Sequence, residues 1–126
     1  MQTQPTLRPT RLLTAASISL LFFGTLMPGS WKHSAERTVG SPLDLAALAH
    51  VVLFAAIFYL LPLARWWRVR SWHLFAVGLG LALTTEGLQF FAIDRHPNLA
   101  GVVQDMTGAT IGWALGFLLH DRAGRS

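Results

Sequence analysis

The sequence contains no cysteine, so disulfide bonds, thiolate chemistry and cysteine-ligated metal sites are excluded. It also lacks a tight ligand pair of the HExxH kind, an evident nucleophile motif and a glycine-rich phosphate loop. We therefore expect neither a metal nor a cofactor. Charged residues are scarce at 13%, whereas 52% of the 126 residues are hydrophobic and are gathered into blocks. This pattern is typical of a membrane protein without a separate soluble domain.

The formal net charge is +4 and the calculated pI is about 11.2, values that could suggest a nucleic-acid-binding protein. However, the longest basic run is RWWRVR at residues 65–70, and half of the chain is too apolar to face water. The positive charge is better explained by membrane topology and by attraction to anionic lipid head groups. We expect membrane lipids, and no nucleic acid, as partners.

One bilayer crossing takes about 20 helical residues, so the apolar blocks predict an all-α bundle of four transmembrane helices. The whole chain, residues 1–126, forms one domain, with predicted segments at 12–27, 45–64, 72–93 and 101–120. Asp44 and the preceding SPL are typical of a helix start. The first segment also resembles a signal peptide, but LMPGS offers no clear cleavage site, which favours an uncleaved helix.

Positively charged connections stay in the cytoplasm, and here the charge is unevenly distributed. The N-terminal, middle and C-terminal polar stretches hold seven arginines, against three lysines and arginines in the other two connections. Both termini are therefore expected in the cytoplasm. The seven are Arg8, Arg11, Arg65, Arg68, Arg70, Arg122 and Arg125.

A run of polar residues interrupts the apolar pattern in TTEGLQFFAIDRHPNLAGVVQD, residues 84–105. At ~1.5 Å per residue, Glu86 is predicted about 12 Å and Gln89 about 7 Å below the outer boundary. The same arithmetic places His50 about 9 Å and Asp105 about 7 Å deep. Charged groups within a bilayer are costly, so they usually face the bundle interior, paired or wet. The pattern predicts an outward-facing polar pocket, with Arg95 as the partner of one carboxylate.

Small residues recur on the face of the fourth segment that carries Asp105. Such a face allows another helix to approach closely, either within the chain or in a dimer, and the sequence does not decide between them. We interpret these glycines as packing residues: Gly101, Gly108, Gly112 and Gly116.

The pattern Glu86-x-x-Gln89-x-Phe91, followed by Arg95 and by Asp105-x-x-Gly108-Ala109-x-x-Gly112, with His50 and Phe54 upstream, resembles the VanZ-like family of small bacterial membrane proteins. The resemblance covers roughly residues 42–117. It departs from the usual family pattern at Ala47, where a lysine is usual, at Gly101, where an aspartate is usual, and at Asp105, where asparagine is common. The resemblance implies a multi-pass protein of the bacterial inner membrane and cell envelope. The family is named after a protein associated with teicoplanin resistance.

Three functional hypotheses follow. The first is a binding protein whose pocket holds a lipid head group, a lipid-linked precursor or a glycopeptide, with Arg95 as the anion contact and Glu86 with His50 fixing the ligand. The second is an intramembrane enzyme on a lipid-linked substrate, with Glu86 or Asp105 as general acid or base and His50 as partner. The third is a small proton-coupled exporter. We favour binding without catalysis.

Overall fold

The computed structural model describes residues 9–40, 44–64 and 71–123, without the side chains of 121–123. Within these residues the chain is all helical and contains no strand. The helices are α1 (Pro9–Leu26), α2 (Gly29–Val39), α3 (Leu45–Ala64), α4 (Ser71–Gln89) and α5 (Leu99–Ala123). Six of the seven predicted cytoplasmic arginine side chains lie outside the described part: Arg8, Arg65, Arg68, Arg70, Arg122 and Arg125. Residues 41–43 of the predicted turn before α3 also lie outside it.

Three of the described helices are long and apolar enough to cross a membrane: Pro9–Leu26, Leu45–Ala64 and Leu99–His120. The fourth predicted crossing, α4, is 19 residues long but is not among them, because polar residues near its ends reduce its mean hydropathy. The architecture is therefore that of an all-α membrane protein. Its surface carries large exposed apolar side chains on every long helix, including Leu20, Phe23, Val52, Phe75, Leu83, Ile111 and Phe117.

The short helix α2 was not predicted, since residues 28–44 were interpreted as a connection. Pro28 precedes it, Lys32 and Glu36 face each other one turn apart at 3.9 Å, and such pairs stabilise a helix. Gly40 ends it in the left-handed conformation with φ 63°, donating its N–H to the Glu36 carbonyl. At its start, the Gly29 N–H donates to the Ile93 carbonyl at 3.1 Å. This contact fixes α2 against the turn that follows α4.

The most extensive interface joins α3 and α5. A Cβ added at Gly108 or Gly112 would overlap the α3 backbone at Val51 and Ala55, so the two helices approach as closely as their main chains allow. At Gly116 the nearest atom to such a Cβ is Tyr59 Cδ2 at 3.7 Å, an ordinary contact. The apolar core beside this interface comprises Leu21, Phe54, Ile57, Phe58, Leu61, Leu74, Ala82 and Ala109.

Candidate functional site

A polar cavity of about 260 Å³ lies at one end of the bundle. The N-termini of α3 and α5 and the C-terminus of α4 meet there, and α2 and the turn after α4 complete the wall. The side chains that give the cavity its character are Lys32, His33, Asp44, His50, Glu86, Gln89, Asp94, Arg95, His96, Asn98 and Gln104. Four of the five predicted site residues thus line one cavity, and Asp105 lies behind His50.

Asp105 is completely buried and joins three helices through hydrogen bonds. His50 Nδ1 on α3 lies 2.9 Å from Asp105 Oδ1, and Thr85 Oγ1 on α4 lies 3.0 Å from Oδ2. An ionised carboxylate only accepts hydrogen bonds, so with Asp105 in that form His50 Nδ1 is the donor. The other imidazole nitrogen, Nε2, has no hydrogen-bond partner among the described residues, and His50 lines the cavity. This arrangement holds the ring in one tautomer and one orientation.

Glu86 is 7% exposed and lies at the N-terminus of α5. Its Oε2 accepts the backbone N–H of Asn98 at 2.9 Å, and its carboxylate occupies the space that a side chain at position 101 would need. Unpaired N–H groups and the helix dipole favour a negative charge at this place. A side chain at position 101, such as the aspartate usual in the family, would therefore displace the Glu86 carboxylate from this place.

Arg95 forms no ion pair within the described residues, so its predicted pairing with a carboxylate is wrong. Glu86 is bonded to Asn98, and Asp105 is bonded to His50. Arg95 is half-buried, and its Nε is shielded from solvent without a hydrogen-bond partner in the described part of the chain. A shielded donor without a partner is costly. Because no described acid neutralises the guanidinium and Arg95 lines the cavity, its charge is available to an anion there.

The second cation of the cavity, Lys32, is already neutralised. Its Nζ lies 3.2 Å from Asp44 Oδ1 and 3.9 Å from Glu36 Oε1. Asp44 caps α3 as predicted, accepting the N–H groups of Ala46 and Ala47. The Ala47 hydrogen bond, followed by the interactions with Lys32, holds the pKa of Asp44 below its ordinary value, although partial burial opposes this.

Glu86, Gln89 and His50 lie nearer to the helix ends than predicted, whereas Asp105 lies slightly farther from the start of its helix. Because α4 ends at Gln89 and not at residue 93, Glu86 is only about 4.5 Å from its end at ~1.5 Å per residue. Gln89, 9% exposed, is the last helical residue. By the same arithmetic His50 is about 7.5 Å and Asp105 about 9 Å from the first residue of its helix. In the described residues no group of three His, Asp or Glu side chains is arranged to hold a metal.

Sequence reasoning missed three residues that shape the site. Asn98 gave a recognisable signal, since asparagine is a preferred N-cap, and its Oδ1 accepts the Gly101 N–H at 2.9 Å. Lys32 could have been found from its i,i+4 spacing to Glu36. Thr85 gave no signal, because a threonine in an apolar helix usually bonds only to its own backbone.

Comparison with known proteins agrees with the sequence motifs. A family model described as VanZ/LLP1 matches residues 2–120. No curated protein and no solved structure matches the chain. The matched range contains all five predicted polar residues and nearly all of the five helices. The chain therefore belongs to the VanZ/LLP1 family.

Proposed function

We propose that this VanZ-type membrane protein binds a phosphate-bearing head group, of a membrane lipid or a lipid-linked envelope precursor, in its polar cavity. Arg95 is the anion contact. The observation that carries the proposal is the half-buried Arg95 in the cavity wall, with no acid within ion-pairing distance among the described residues. A guanidinium offers planar paired donors that suit phosphate oxygens. A role in glycopeptide resistance would then act through the precursor.

The other charged groups of the cavity support this assignment. Lys32 is paired with Asp44, and Glu86 is held at the start of α5. The third acid, Asp94, is exposed to solvent, where its repulsion of an anion is screened. Within the described residues, Arg95 is thus the Lys or Arg of the cavity wall that has no acid within ion-pairing distance.

The test is native mass spectrometry of lipids that co-purify in mild detergent. We expect a phosphate-bearing lipid with the wild type, its loss with Arg95→Ala, and partial retention with Arg95→Lys, which keeps charge but loses the planar donor pair. Arg37→Ala is the matched control, because Arg37 is an exposed arginine of α2 outside the cavity. Equal lipid retention by Arg95→Ala and Arg37→Ala would refute the proposal, and a co-purified glycopeptide would replace the lipid as ligand.

A second candidate function is acid–base catalysis on a lipid-linked substrate, favoured by the His50–Asp105–Thr85 hydrogen bonds. A carboxylate that fixes one imidazole nitrogen leaves the other as a proton acceptor. The wild type, incubated with an envelope lipid extract, would then yield a product detectable by mass spectrometry, and His50→Gln would not. An unchanged extract after incubation with the wild type rejects this candidate. The exporter hypothesis gains no support, because the polar residues gather near one end of the bundle.

The proposed orientation places four spans in the bacterial inner membrane, with the cavity outside and both termini in the cytoplasm. Three polar residues of α4, Thr85, Glu86 and Gln89, are buried, whereas Phe75 and Leu83 are exposed, as expected for a helix that faces lipid. At 19 residues it is about 28 Å long, close to one hydrocarbon thickness.

This topology is testable by cysteine labelling, because the natural chain has no cysteine. In intact cells, a membrane-impermeant maleimide should label Thr38→Cys on exposed α2 but not Ser126→Cys at the C-terminus. The reverse labelling pattern would invert the orientation. Labelling of both variants would contradict the three crossings proposed between α2 and the C-terminus.

A further inference from the structure

A second, apolar cavity of about 190 Å³ adjoins the polar one. It lies between α1 and α3, beneath α2, and we call it the α1–α3 groove. Its apolar lining comprises Leu21, Gly24, Met27, Ala35, Leu45, Ala46, Ala49 and Leu53. The two cavities share Lys32, Ala46, His50 and Arg95. The groove therefore meets the polar cavity at Lys32 and Arg95. Glu36, which pairs with Lys32, is the acid of the groove lining.

Open space remains along the α1 wall of this groove. A Cβ added at Gly24 would meet no atom within 4 Å, in contrast to the tight glycines between α3 and α5. Ala49, on the α3 wall, is exposed. The groove volume is below the roughly 300–1,000 Å³ of pockets that enclose drug-sized ligands, so it has room for part of one chain and not for a bulky group.

We infer that the α1–α3 groove holds one acyl chain of an anionic amphiphile whose phosphate binds Arg95. This inference rests on the proposed head-group function and names the ligand class more closely. An amphiphile links an apolar chain to a charged head, and here an apolar groove opens at a guanidinium that has no acid within ion-pairing distance among the described residues. Arg95 lines both cavities and marks the point where the head is joined to the chain. Lys32, paired with Asp44, lies at the same junction.

The probes are monoacyl glycerol 3-phosphates with butanoyl, octanoyl and dodecanoyl chains, and glycerol 3-phosphate without a chain. Binding is measured by calorimetry on protein in nanodiscs of zwitterionic lipid. Each methylene buried in the groove should raise affinity by about fourfold, which corresponds to ~0.8 kcal/mol. Comparison among variants in the same nanodiscs cancels partition of the probe into the bilayer.

Gly24→Leu fills the groove, and Gly80→Leu is the matched control, since a Cβ at Gly80 on α4 also meets nothing within 4 Å. We expect Gly24→Leu to bind the dodecanoyl probe at least tenfold more weakly than the wild type does. Its affinity for glycerol 3-phosphate should equal that of the wild type. Gly80→Leu should bind every probe normally. Equal chain-length dependence in the two variants overturns the inference.

The head-group proposal fails separately, if Arg95→Ala binds glycerol 3-phosphate as tightly as the wild type. A photoreactive diazirine in the dodecanoyl chain tests the wild type without relying on the folding of a variant. Crosslinks should concentrate on residues 21–27 and 45–53. Crosslinks of equal yield on the exposed faces of α4 and α5 overturn the inference.

Discussion

Replacing Asp105 tests the hydrogen bonds that join α3, α4 and α5. Asp105→Asn should be tolerated because every bond can be remade. The Thr85 hydroxyl has one proton and two acceptors within reach, the Ala82 carbonyl at 2.9 Å and Asp105 Oδ2 at 3.0 Å. In the asparagine variant the amide donates to Thr85 Oγ1, the hydroxyl donates to Ala82, and the amide oxygen accepts from His50.

Asp105→Ala removes both interhelical bonds and leaves a void. Interhelical hydrogen bonds in membrane proteins contribute about 0.6 kcal/mol on average and up to about 1.7, so two of them predict a loss of about 1–3 kcal/mol. The coupling energy between His50→Ala and Asp105→Ala should lie within about 0.6–1.7 kcal/mol. Asp105→Asn should stay within about 0.5 kcal/mol of the wild type, less than one such bond.

The assay is reversible unfolding by sodium dodecyl sulfate in mixed micelles, followed by circular dichroism and tryptophan fluorescence. Thr107→Ala is the matched control, because Thr107 is an exposed residue of α5 whose hydroxyl, among the described residues, bonds only to the Val103 carbonyl of its own helix. If Asp105→Asn unfolds as easily as Asp105→Ala, the negative charge itself is required. The expectation that hydrogen bonds alone account for the contribution of Asp105 would then be refuted.

Two further changes test the packing and the α3 cap. Gly112→Ala should reduce the free energy of unfolding by about 1–3 kcal/mol, because its Cβ overlaps the α3 backbone. Gly116→Ala, whose nearest contact is 3.7 Å away, should leave this free energy unchanged in the same assay. Equal losses in the two variants would contradict the close α3–α5 approach. For Asp44, whose folded pKa is lowered, the stabilisation is fully present above the unfolded pKa of about 3.9 and is lost as pH falls through the lower folded value. The difference in unfolding free energy between wild type and Asp44→Asn should therefore be constant near neutral pH and vanish in acid, and a difference that grows in acid would contradict the assignment.

Much of the architecture follows from local rules. The bounds of α3 agree with the predicted 45–64 because an N-capping aspartate precedes a continuous apolar run. The end of α4 was misplaced because residues 90–93 are as apolar as the helix before them. The chain turns there, at Asp94 with φ 59°, to dock on Gly29. No local pattern marks a turn that depends on a contact with a distant segment.

The sequence alone determined the class of protein, the family motifs and which polar residues lie near one end of the bundle, because apolar runs and helical periodicity are local properties. Only the tertiary structure decided the partners: Asp105 with His50 and Thr85, Glu86 with the start of α5, and Arg95 with no acid within ion-pairing distance in the described chain. Spacing sets the face and depth of a side chain. Its partner depends on the rotation and closeness of helices, which the contacts of Gly108 and Gly112 with the α3 backbone fix.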